Sequence, residues 1–122
     1  MRMWMVDPGL LCKKHLLGEH VECHMLDGSL RRRRSIAGFL DRGLLEPSQL
    51  QARHDALADE MVRRGMQHAS PLDAEPWRPE EHPDVCEQDQ YVDDVVSLRE
   101  LSRRCSDCRS RIVNRHHGGM DQ

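Results

Sequence analysis

Apolar residues recur at helical spacing along three stretches of the chain, separated by proline, glycine and short charge runs. Asp7-Pro8 predicts the first start, with Asp7 as N-cap and Pro8 at the first helical position. The spacing carries this helix to about His24–Leu26, with a stop at Asp27-Gly28. Leu10, Leu17, Val21 and Met25 form one stripe, read as the core face. Leu11, His15, Gly18 and Glu22 form the neighbouring stripe. A glycine inside a helix costs roughly 1 kcal/mol against alanine. Gly18 therefore suggests a close approach by another helix, the N-terminal segment or a substrate.

Ser35 to Asp41 reads as a short helical turn ending near Gly43. Glu46-Pro47-Ser48 starts a second long helix, with Leu50, Leu57, Met61 and Val62 as its apolar stripe. Arg63-Arg64-Gly65 supplies a basic last turn and a glycine stop. Pro71, Pro76, Pro79 and Pro83, among many acids, predict an irregular surface loop. A last helix is expected over Val92 to Val113, with Val95, Leu98 and Leu101 as contacts. The expected protein is a small, compact all-α domain over residues 1–122. Its parts are a core at 1–75, an acidic Pro-rich loop at 76–90, a C-terminal helix at 91–113 and a loose tail at 114–122.

Composition narrows this picture. Of 122 residues, 38% are hydrophobic and only 3% aromatic, so the core must be small and aliphatic. No run of about 18 apolar residues is present, so no membrane partner is expected. The start of the chain lacks a signal-peptide pattern, and five cysteines is an odd number. Reduced thiols or a metal site are expected, in a cytoplasmic, nucleoid-associated or viral setting. The net charge is −3, with residues 67–122 holding 7 Lys/Arg against 12 Asp/Glu. Against that acidic half stands the run Arg31-Arg32-Arg33-Arg34, a candidate phosphate contact that reads equally as a solvated loop or a protein-contact site.

Three groups carry chemistry. Arg2 is too large for the usual trimming of an initiator methionine, so Met1 is expected to keep a free α-amine. Such an amine has a pKa near ~7.7–8.0 and can form a Schiff base with an aldehyde-like carbon. Glu22 is its candidate partner, although a solvated helix carboxylate is the bland alternative. Cys105-Ser106-Asp107-Cys108 could make half of a structural zinc site, the rest coming from Cys86, Cys12, Cys23, His116 or His117. Cys12 and Cys23, roughly 16 Å apart along a helix, cannot share one ion. His20 and His24, at i and i+4, could also chelate a metal, or simply form a polar helix face.

The segment Lys14-His15-Leu16-Leu17-Gly18-Glu19-His20-Val21-Glu22 resembles the catalytic helix of the phage endonuclease V, or pyrimidine-dimer DNA glycosylase, family with its His-Leu-x-x-Glu-x-x-Glu pattern. Arg53 to Gly65 resembles that family's second long helix and its basic-Gly end, and the likeness covers about residues 1–75. It implies an endonuclease V-like helical fold and a glycosylase or abasic-site lyase acting on double-stranded DNA with a damaged, modified or abasic nucleotide. It implies Met1 as nucleophile, Glu22 as the assisting carboxylate and His15 as a supporting residue. Arg2, Lys14 and Arg31 to Arg34 are the corresponding DNA-binding candidates. Catalysis of this kind needs no cofactor. Val21 and Met25 stand where the family's best-known member has arginines, Lys14 replaces a glutamine, and the aromatic-rich C-terminal segment is missing. A non-catalytic DNA-binding module and a zinc-stabilised interaction protein remain the alternatives.

Overall fold

The computed structural model describes residues 1–68, 70–82 and 91–120, with backbone alone for 116–120. It is all-helical, and no strand occurs among the described residues. Asp7 caps as expected, its carboxylate accepting from the Gly9 N–H at 2.9 Å, but Pro8–Leu10 makes only a single 3-10 turn. Leu11 and Cys12 are extended, and α1 spans Lys13–Arg31. The helix is delayed because the Cys12 N–H points to the Sγ of Cys108 at 3.2 Å. It also continues past the expected stop at Gly28. Arg31 reaches back to Asp27 at 2.8 Å, and the end comes at Arg33 in the left-handed region (φ 56°). There the Arg34 N–H bonds the Ser29 carbonyl, closing the helix with a Schellman-type turn.

Helix α2 (Ala37–Asp41) is the expected short turn, and Gly43 follows it at φ 67°. Helix α3 (Leu50–Arg63) follows a 3-10 turn at Pro47–Gln49 and stops at Gly65, φ 79°, as the basic-Gly signal predicts. The expected last helix is two. Asp93 caps α4 (Asp94–Arg104) by accepting from the Val95 and Val96 N–H groups. The chain becomes extended at Cys105, and α5 runs from Ser106 to Met120. Residues 114–120, expected as tail, therefore continue a helix. Within the proline-rich stretch, residues 71–82 are irregular apart from a turn at Pro79–Glu81, and the rest of the loop, 83–90, lies outside the described residues.

The centre of the molecule is the packing of α1 on α3, while α5 packs on α4 and on the Pro8–Leu10 turn. Met3, Leu11, Leu16, Leu26, Leu57 and Leu101 are fully buried there. The assigned core stripe of α1 is corrected: Val21 and Met25 are 55% and 52% exposed, as are Val62 of α3 at 61% and Val95 of α4 at 52%. The buried face of α1 instead carries Leu16, Cys23, Leu26 and Leu30, flanked by the polar Glu19, His20 and Asp27. The helical repeat leaves the phase of α1 open, and polar partners decide which face turns inward.

The foremost of those partners is Arg53. Its guanidinium bonds Glu19 twice, at 2.6 and 2.9 Å, and the Val6 carbonyl at 2.5 Å, with both side chains buried. This network ties α1, α3 and the N-terminal segment together. The Met3 N–H adds a bond to the Leu44 carbonyl at 2.7 Å. The first residues of the chain are thereby anchored against α1.

Candidate active site and cysteine cluster

A cleft of about 300 Å³ opens beside the N-terminal half of α1, lined by Arg2, Trp4, Lys14, His15, Gly18, Glu19, Glu22 and Arg104. The helical repeat sets His15, Gly18 and Glu22 along one face, and this expected stripe forms the cleft floor. Among the described residues no atom fills the space beside Gly18, where an added Cβ would meet nothing within 4 Å. Neither a helix nor the N-terminal segment explains that glycine.

Glu22 is half-buried, and burial pushes its carboxyl above the ordinary glutamate range. The Met1 ammonium, the Arg2 backbone N–H and the Arg2 side chain pull the other way. The structure thus brings the chain-end amine and Glu22 into one electrostatic neighbourhood. Arg2 lies over the Trp4 ring, 4.0 Å from its centroid. Burial and the nearby Arg104 lower the Arg2 pKa, and its Nε is buried without a hydrogen-bond partner among the described residues. Arg104, held by Glu100 at 2.8 Å, is a wall residue that sequence reading missed. No spacing rule links a residue of α4 to α1; the contact exists only in three dimensions.

The arginine run is placed elsewhere. Arg31 lies about 14 Å along α1 from Glu22 and bonds Asp27, Glu75 and the Asp73 carbonyl. Arg33 pairs with Glu81. Arg32 and Arg34 are exposed. The acidic loop thus folds back onto part of the basic run.

His15 faces two ways. Its ring meets Trp4 edge-on at 5.8 Å, while Nδ1 lies 3.3 Å from Cys12 Sγ and 3.5 Å from Cys108 Sγ. Cys12 Sγ is 3.8 Å from Cys105 Sγ, and the four ligand atoms of Cys12, His15, Cys105 and Cys108 lie within 4.8 Å of one another. The pattern is C-x2-H at the start of α1 facing C-x2-C at the α4–α5 break. The Cys108 backbone N–H holds the Cys105 thiol below its ordinary range, whereas burial pushes Cys108 up to about 12. This cluster could hold a metal ion. Cys23, another thiol weighed as a ligand, is fully buried outside the cluster, and burial pushes it up to about 12. Cys86 lies outside the described residues, as do the side chains of His116 and His117.

His20 and His24 do not stand alone on their face of α1. His54 of α3 and His68 of the following segment meet them, and burial among these rings pushes the His20 pKa down to about 4. That fourfold meeting joins parts of the chain up to 48 residues apart and leaves no local sequence signal beyond the i,i+4 pair.

This helical scaffold presents a cleft in which Arg2, Lys14 and Arg104 stand with the carboxylates of Glu19 and Glu22. The chain belongs to the pyrimidine dimer DNA glycosylase family, whose model matches residues 1–74. That stretch holds the whole of α1 to α3 and every cleft residue except Arg104. No curated protein and no solved structure matches the chain. Family membership supports a pyrimidine-dimer DNA glycosylase-like role with damaged DNA as substrate. No described helix is long and apolar enough to cross a membrane.

Proposed function

We propose that the protein is a DNA glycosylase and abasic-site lyase whose nucleophile is the α-amine of Met1. The observation that carries this reading is the electrostatic pull of that amine on Glu22, a carboxylate that lines a cleft with Arg2, Lys14 and Arg104. The uncharged amine attacks C1′ of the target nucleotide, and the bond from C1′ to the base breaks with its electron pair leaving on the base. Positive charge develops on the sugar, and the Glu22 carboxylate stabilises it. The attached nitrogen gives up one proton to the departing base, and the C1′–O4′ bond then breaks with its electron pair on O4′, which takes a proton by way of Glu22, leaving a Schiff base between the amine nitrogen and C1′. Loss of a proton from C2′ expels the 3′ phosphate and nicks the strand.

Arg2 suits the phosphate role because its buried Nε lacks an acceptor among the described residues, and a phosphate oxygen would provide one. Lys14 and Arg104 would extend the cationic wall. Arg32 and Arg34 are outlying phosphate contacts in this reading, and Arg31 and Arg33 join them only by releasing the loop carboxylates. The target nucleotide must leave the stack to reach the cleft. His15 acts as a positioning residue, its ring forming the cleft wall while Nδ1 faces the thiols.

The cysteine cluster suits a structural zinc. Three sulfurs and one imidazole nitrogen form a closed donor set, typical of structural rather than catalytic zinc. Cys12, His15, Cys105 and Cys108 would hold the ion, and the ion would fasten α4 and α5 to the start of α1.

Borohydride trapping on duplex DNA with an abasic site tests the reaction. The native chain should give a covalent adduct, and Glu22→Gln should cut strand nicking by roughly 10²-fold or more. A few residues added before Met1 should abolish both adduct and nicking. Equal nicking by the extended chain would sink the Met1 mechanism.

A further inference from the structure

Four of the eight histidines of the chain converge on the flank of α1 remote from the cleft. His20 lies five residues after His15, which is roughly 140° round the helix. Its ring centroid is 5.0 Å from that of His24, 4.7 Å from His54 and 4.8 Å from His68. His54 is also 5.3 Å from His68. His20 and His54 are 6% and 1% exposed. The ligand nitrogens of His20, His54 and His68 all lie within 4.8 Å of one another, and the Nε2 atoms of His20 and His68 are 2.9 Å apart.

With every ring neutral, this arrangement has too few N–H groups for the oxygens it faces. The His20–His68 contact uses one N–H and one lone pair. Both His24 Nε2 and His54 Nε2 approach the Ser70 carbonyl, at 3.0 and 3.1 Å, while His54 Nδ1 lies 3.0 Å from an Asp55 carboxylate oxygen. A neutral His54 has one N–H for those two oxygens, so one nitrogen must turn a lone pair toward an acceptor. A second proton on His54 answers the conflict at the cost of a charge on a buried ring, whereas a metal cation near the Nε2 atoms answers it with the ring neutral. His54 then donates Nδ1–H to Asp55, the carboxylate–histidine arrangement that orients metal-ligating imidazoles, and offers Nε2 to the ion.

We propose that His20, His54 and His68 form a second metal site, separate from the cysteine cluster, that takes a divalent transition ion of the zinc class. Neutral imidazoles bind such ions at about 2.0–2.1 Å, which sets neighbouring nitrogens about 3.3 Å apart on a tetrahedron. The 2.9 Å spacing of the His20 and His68 nitrogens already approaches that separation. The Ser70 carbonyl and His24 border the remaining coordination position. The ion clips the segment after α3 onto both long helices. The site is independent of the Met1 reaction, because its ligands lie on a different face of α1.

Zinc itself is the probe. The reduced full-length chain, stripped of metal and titrated with Zn²⁺ against a chromophoric chelator, should bind about two equivalents. His20→Gln and His68→Gln should each bind about one equivalent, and a thiol-blocking mercurial should release that one. His68 is only half-buried, so His68→Gln should keep the fold even if His20→Gln does not. Cobalt in place of zinc should show thiolate charge-transfer absorption that persists in both histidine variants. Wild type binding a single equivalent that the mercurial releases completely would overturn the proposal. So would two equivalents unaffected by both histidine substitutions.

Discussion

At Gly18 a methyl group would meet nothing within 4 Å, although the residue lies inside α1 on the cleft floor. Alanine there should stabilise the helix by about 0.5–1 kcal/mol, since glycine is the costlier residue in a helix interior. The same methyl would intrude on any substrate lying between His15 and Glu22. Gly18→Ala should therefore raise the thermal midpoint while weakening binding of abasic duplex DNA. A variant that gains stability and binds DNA as well as the native chain would show that substrate passes elsewhere. Glu22 was legible in the sequence as a carboxylate at a suggestive distance from Met1. That burial raises its pKa, and that the amine sits nearby, depended on how the N-terminal segment folds back.

Among the elements, α1 and α3 share a buried ion pair beside their apolar packing. Arg53→Ala would leave Glu19 buried without its guanidinium and free the Val6 carbonyl. Loss of one partner of such a pair costs about 3–5 kcal/mol, read by denaturant unfolding. Glu19→Gln should cost less, because an amide can still accept from Arg53. At the end of α3, Glu60 bonds Arg63 and Arg64, which lowers its pKa from 4.5 to about 2. A folded-state pKa below the unfolded one gives stability that is present above the unfolded value. That contribution fades as pH falls from about 4.5 toward 2. Glu60→Gln should thus lower stability by about 1 kcal/mol near neutral pH, discounted for the exposed Arg63, with the gap to the native chain closing in acid. The expected stop of this helix at Gly65 was readable because a left-handed residue with a basic last turn is a local signal. The breaks at Cys12 and Cys105 were not, since each follows from sulfur contacts with residues more than 90 positions away.

For the whole molecule, the contacts by which the C-terminal helices meet the rest of the chain include Leu101 and Cys108 in the core, Arg111 on the Gly9 carbonyl, and Arg115 on Asp7. A structural zinc would add a strong tie at the same seam. The double substitution Cys105→Ser and Cys108→Ser should lower the thermal midpoint. Hydrogen exchange should rise first in α4, α5 and the Pro8–Leu10 turn, with α1 and α3 protected longer. Uniform loss of protection across all helices would instead make the metal a condition for folding the entire chain.

The sequence by itself determined the helical class, the position of the α3 stop, the stripe of His15, Gly18 and Glu22, and the resemblance that membership of the glycosylase family bears out. These are local properties: periodicity, capping and a short motif act within a few residues. Only the tertiary structure decided which face of α1 is buried, that Arg104 joins the cleft, and that His15 faces Cys12 and Cys108. It also decided that four histidines meet across α1, α3 and the segment beyond. The reason is physical. A polar or sulfur side chain turns inward only where a distant partner satisfies it, and the distance at which that partner stands in the chain is not encoded in the helical repeat.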